Sequence, residues 1–275
     1  MANQPAIDPM EQFVIHKLVD LPTFHVGKLA VDMSINTSVM TMLVGAVLIV
    51  AFFALTARRE IVPNRGQAVA EALYNIIDRV LVGPILGPHG RPYVPYLFTL
   101  FIVILTLNLM SVVFAVGNIA GQSWTFAVTS QIAVTATLAL LTFLSVFILG
   151  FIKHGPKFVS LFWVPGMGIF GGAAMVLIEM ISYFVRPLTL ALRLFGNMLG
   201  GHVVMSLFGS FVVALAIVGL SGGIATLAFI PSVLSFTMIV ALTGLELVVA
   251  VLQAFVFAAL ATVYLNEVVN FGHGH

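Results

Sequence analysis

Cysteine is missing from all 275 residues. Its absence excludes a disulfide framework, a thiolate nucleophile and any cysteine-based metal site. Charge is nearly as scarce: Asp, Glu, Lys and Arg make up 8% of the chain, against about 25% in soluble domains. A formal net charge of +1 gives no sign of a nucleic-acid partner, and none is expected. The N-terminus lacks a basic stretch followed by an apolar one, so no cleavable signal peptide is expected. No Ser-, Pro- or charge-rich linker and no internal repeat divides the chain, which reads as a single membrane domain over residues 1–275. Around residues 120 and 222 the links between apolar runs contain neither Lys nor Arg.

What is abundant is oil. Hydrophobic residues make up 61% of the sequence, and several runs reach the ~18 residues needed to cross a bilayer. The fold class expected is an all-α polytopic membrane protein. Membrane helices are expected at about 37–57, 96–116, 128–152, 173–218 and 230–269, after an external N-terminal segment, 1–36. Within that segment, Glu11–Leu18 gives a weak signal for a short interfacial helix. From 67 to 82, Val69, Leu73, Ile76, Ile77 and Val80 recur at helical spacing, interrupted by Glu71, Asp78 and Arg79. A helix lying on the membrane surface is expected there, followed by a Pro- and Gly-rich loop, Gly83–Pro95.

Five crossings place Arg58, Arg59, Arg65, Arg79, Arg91, Lys153 and Lys157 on one side. By the positive-inside rule that side is cytoplasmic, or matrix, with the N-terminus outside and the C-terminus inside. Lys17 and Lys28, in the external segment, run against the rule. The fourth span, about 45 residues, would measure roughly 68 Å as a helix, more than twice the hydrocarbon thickness. One long, tilted helix is favoured over two crossings, with a kink at Pro187 left open.

That span carries Arg186-Pro-Leu-Thr-Leu-Ala-Leu-Arg193-Leu-Phe-Gly-Asn197-Met-Leu-Gly-Gly201. An arginine on an isolated helix at the bilayer centre costs from ~3 to more than ~10 kcal/mol, so each needs a partner or a watery cavity. Seven residues apart, Arg186 and Arg193 share a helix face, along with Glu179, Ser182, Thr189, Asn197 and Gly200. Neither has a carboxylate three or four residues away on its own helix, so the counter-charge must come from elsewhere. The last two helices form a hairpin if a turn is centred on Gly222-Gly223. Arg193 then falls near Gln253, His202 near Glu246, and Glu179 near Tyr264 and Glu267. Polar groups meet at three depths, a layout resembling a discontinuous proton path interrupted by a fixed positive charge.

The segment Arg186–His202 resembles the signature of the a subunit of F-type ATP synthases. Leu252-Gln-Ala-Phe-Val-Phe257 with Thr262-Val-Tyr-Leu265 is similar to that family's terminal helix, and Asn108-Leu-Met110 also looks like a family position. The likeness runs from Asp8-Pro-Met-Glu-Gln-Phe13 to the end. It implies a non-catalytic subunit of a proton-translocating complex, in a bacterial inner membrane or, alternatively, a mitochondrial one. The partners it implies are a c-ring, b-type peripheral stalk subunits and membrane lipid, with no cofactor and no metal. Arg193 would face the c-ring carboxylates. Asn197, His202, Glu246 and Gln253 would serve an outer half-channel and Glu179 an inner one. Many bacterial members carry the acid on the first helix of the hairpin and the histidine on the second. Here the pair is exchanged, a pattern similar to mitochondrial and alphaproteobacterial members. Ser111 stands where some members have an aspartate.

A guanidinium stays charged at working pH, favours the ionised form of a nearby carboxylate and cannot itself relay a proton. Blander roles stay open: Asn197 and Gln253 also suit interhelical hydrogen bonds, Glu179 suits a solvated interface, and Arg186 suits anchoring. Asn108 and Gln131 read as ordinary interhelical hydrogen bonders. His273 and His275 read as a solvated tail rather than a metal site. The alternative function is a self-contained cation/proton antiporter, which would normally show inverted repeats and paired broken helices.

Overall fold

The computed structural model describes residues 17–19, 24–26, 29–31, 34–56, 63–119, 128–155, 158, 169–220 and 223–270. The described residues are nearly all helical, and among them five helices are long and apolar enough to cross a membrane. Four short strands precede them: β1 (Lys17–Val19), β2 (Phe24–Val26), β3 (Leu29–Val31) and β4 (Ile35–Asn36), paired antiparallel as β1 with β4 and β2 with β3. Most of the interfacial helix expected at Glu11–Leu18 lies outside the described residues; its last two positions fall in β1.

The helices are α1 (Thr37–Thr56), α2 (Arg65–Asn75), α3 (Gly83–Leu86), α4 (Val94–Ile119), α5 (Ile132–His154), α6 (Ile169–Leu220) and α7 (Phe229–Val269). The Asn64 side chain opens α2 by accepting a hydrogen bond from the Arg65 amide at 2.6 Å, a standard N-cap. A π-helical stretch, Ile76–Val82, joins α2 to α3, and a 3₁₀ stretch, Gly87–Tyr93, joins α3 to α4. The loop expected at Gly83–Pro95 is therefore a correction: this segment is helical. Pro84 sits in the first turn of α3, where its missing N–H costs nothing. Gly87, at φ 64°, takes the left-handed step that ends α3.

α6 runs for 52 residues with Pro187 inside it. Proline removes one intrahelical hydrogen bond, leaving the Tyr183 carbonyl without its usual donor. One lone proline and scattered glycines do not stop a helix whose apolar faces have somewhere to go.

The chain resolves into two compact units. One takes in described residues of Met1–Leu48, Leu105–Gln131 and Phe195–Leu252; the other takes in those of Ile49–Ile104, Ile132–Leu194 and Gln253–His275. In the first, Ser38 Oγ donates to Gln131 Oε1 at 2.8 Å and Asn108 Nδ2 to the Ala250 carbonyl at 3.3 Å. Val112, Met198 and Ala250 form a small core. Ser232 Oγ donates to the Val212 carbonyl at 3.1 Å, and Thr243 lies against Met205. These pairs run α6 and α7 antiparallel through this unit, in the hairpin register expected about Gly222-Gly223; residues 221–222 lie outside the described residues.

The second unit is knit by rings. Phe143, Phe147, Phe151, Phe158, Tyr183 and Phe184 form a continuous aromatic chain with centroid separations of 5.0–6.4 Å. Gly150 lets Phe158 lie flat on α5, since a Cβ there would stand 2.5 Å from the ring. Lys153 Nζ donates to the Val269 carbonyl and His154 Nε2 contacts the Val268 carbonyl, each at 2.8 Å. The end of α5 thus caps the C-terminus of α7, whose last carbonyls have no intrahelical donors.

Candidate functional site

In the second unit the polar groups gather around Arg186. Its Nη1 donates to both Glu267 carboxylate oxygens, at 2.7 and 2.5 Å. Glu179 lies 3.9 Å from Nη2. The guanidinium also stands over the rings of Tyr183 and Tyr264, at 5.6 and 5.3 Å. Two carboxylates and two π-faces meet one cation. The counter-charge of Arg186 thus comes from α7 and from seven residues back on α6, as its lack of a close helical neighbour required. Glu179, expected near Tyr264 and Glu267, is drawn into the same cluster.

Arg193 is different. It is exposed on α6 and makes no ion pair or hydrogen bond with any described residue. Gln253, expected beside it, is 6% exposed and its Nε2 lacks a partner among the described residues; the structure records no hydrogen bond between the two. Further along α6, Gly196, Asn197 and Gly200 are also exposed. A Cβ at either glycine would meet nothing within 4 Å.

In the first unit, His202 and Glu246 are 3% and 7% exposed. No hydrogen bond joins them directly. His202 Nε2 lies 2.8 Å from Ser111 Oγ, sharing a hydrogen bond whose direction the ring tautomer sets. Glu246 packs on Gly201 so closely that any Cβ there would collide with the carboxylate. Both Glu246 oxygens are buried without a partner among the described residues. Leaving such groups unpaired in an apolar interior is expensive, so the geometry suits a group whose partner is a proton or water.

A family model described as ATP synthase A chain matches residues 38–266. The chain belongs to that family. It is 40% identical over 269 residues to ATP synthase subunit a of Azorhizobium caulinodans, covering 97% of this chain and 99% of the relative. To that of Xanthobacter autotrophicus it is 39% identical over the same length and shares. To that of Rhodopseudomonas palustris, strain TIE-1, it is 38% identical over 268 residues, covering 98% and 100%. As a member, the chain is a subunit and not a free-standing enzyme. The bacterial relatives and five membrane-length apolar helices make it a bacterial membrane protein.

Within this ATP synthase A chain member, three contacts escaped the sequence. The Ser111–His202 hydrogen bond is one; the sequence shows only that Asn108 and Ser111 share a face of α4, which does not point to His202. The capping of α7 by Lys153 and His154 had no signal beyond basic residues at a helix end. The bidentate hold of Glu267 on Arg186 had one: the hairpin register already placed Glu267 opposite Glu179.

Proposed function

We propose that the chain is the stationary proton-channel subunit of a rotary ATP synthase membrane sector. It offers two offset half-channels to the carboxylates of a c-ring, separated by Arg193. Asn197, His202, Glu246 and Gln253 serve the outer half-channel and Glu179 the inner one. The chain lies in the bacterial inner membrane with its N-terminus outside and its C-terminus cytoplasmic, and b-type stalk subunits and lipid meet its other faces.

The observation that carries this reading is the exposed, unpaired guanidinium of Arg193. A permanent internal carboxylate would neutralise it, as Glu267 and Glu179 do for Arg186. Left open, it suits a carboxylate that arrives and departs on another subunit. As the carboxylate approaches, the guanidinium favours its ionised form and so promotes proton release. His202 and Glu246 are the residue types that pass protons near neutrality.

The test is ATP synthesis, with potential-driven proton flux, in vesicles carrying the complete complex. Arg193→Ala and Arg193→Lys should both abolish coupled synthesis. Lysine keeps a charge but on a different stem and in titratable form, so it should leak less than alanine, which removes the barrier. Thr189→Ala, on an exposed position of the same helix, is the control. Normal synthesis in either Arg193 variant overturns the assignment.

A further inference from the structure

We infer that Ser111 is a positioning residue for His202, holding the imidazole by a hydroxyl able to serve every protonation state of the ring. The inference rests on the proton-channel reading above and names a participant that reading does not contain.

The first observation is where the Ser111 hydroxyl does not go. Serine and threonine in apolar helices ordinarily bond back to a carbonyl one turn earlier. Thr99 on the same helix does so, to Pro95, and so do Thr142 and Ser145 on α5 and Ser235 and Thr237 on α7. Ser111 instead spends its hydrogen bond across the unit, at 2.8 Å, on His202. Both side chains are almost wholly buried, at 2% and 3% exposure, so water does not substitute easily for either.

The second observation is that the surroundings fix this pair. One turn before Ser111, Asn108 Nδ2 holds the Ala250 carbonyl and so ties α4 to α7. One turn before Ala250, Glu246 seats its carboxylate on Gly201, the neighbour of His202. The three helices therefore meet around the imidazole through one contact from each pair. The ring cannot turn without breaking the Ser111 bond.

The chemistry favours a hydroxyl here. A neutral imidazole presents Nε2 either as N–H donor or as bare acceptor, and the imidazolium presents it as donor. A hydroxyl rotates to meet all three, donating to bare Nε2 and accepting from Nε2–H. Ser111 thus keeps Nε2 satisfied in each of these states. A thiol of nearly the same size is a poor partner, and a methyl group is none.

The experiment measures potential-driven proton flux, per assembled complex, for Ser111→Ala, Ser111→Cys, Ser111→Thr and His202→Ala. Losing one hydrogen bond should slow Ser111→Ala and Ser111→Cys about tenfold. Ser111→Thr, which adds bulk but keeps the hydroxyl, should stay within about twofold. A space-filling serine would give the reverse order, with Cys and Ala conducting normally and Thr impaired. That result, with His202→Ala still blocked, overturns the inference and leaves the channel reading standing. Equal impairment of all three Ser111 variants also overturns it. Normal flux in His202→Ala overturns both, since the outer route then lies elsewhere.

Discussion

Arg186 and Arg193 lie two turns apart on one helix, yet they live in opposite chemical circumstances. Arg186 has two carboxylates and two aromatic rings around it; Arg193 has no ionic partner among the described residues and faces outward. The cost of placing a guanidinium in a membrane is met internally at the first position. At the second no described residue meets it with an opposite charge. The difference is one of setting: one guanidinium is held within the chain and the other is exposed.

The comparison breaks most severely if the bare face is filled. Gly196→Leu should reduce coupled synthesis to background while the isolated chain keeps its stability, because a side chain there meets open space within this chain. Helix-close approach needs small residues, and only an external partner can feel the added bulk. The measurement is ATP synthesis alongside thermal denaturation in detergent; unchanged synthesis would show that nothing approaches this face.

A smaller effect is expected at the satisfied arginine. Arg186→Ala should destabilise the folded chain by roughly 1–3 kcal/mol, between the limits for exposed and buried pairs. Half-exposed side chains, at 24% and 32%, justify the discount. The double variant Arg186→Ala/Glu267→Gln should lose less than the sum of the two single changes. Additive losses would deny the pairing. The smallest effect belongs to Lys153→Ala, which removes a charged cap from the end of α7. It should cost about 0.5–1 kcal/mol, seen as earlier proteolysis or hydrogen exchange at residues 266–270 with synthesis preserved.

Long apolar runs made the five membrane-length helices readable, because hydrocarbon thickness dictates length directly. Gly83–Pro95 misled because glycine and proline mark both turns and helix termini; only packing on Leu86 and Val82 decides, as Gly90 shows. The neighbours of Arg186 were reachable by register, since charged partners are few in an oily chain. Ser111 was not, because a serine on an apolar helix has a local alternative one turn back, and sequence cannot say which bond it takes. Glu246 was placed within one residue of its expected neighbour, yet its contact with Gly201 rather than a hydrogen bond to His202 depends on side-chain direction.

The fit of Glu246 onto Gly201 also constrains descent. A side chain at 201 requires the carboxylate at 246 to be absent or to turn aside, so the two positions are coupled through that carboxylate. A chain that keeps the acid at 246 admits a side chain at 201 only by swinging the carboxylate away, and a chain without an acid there has no such demand.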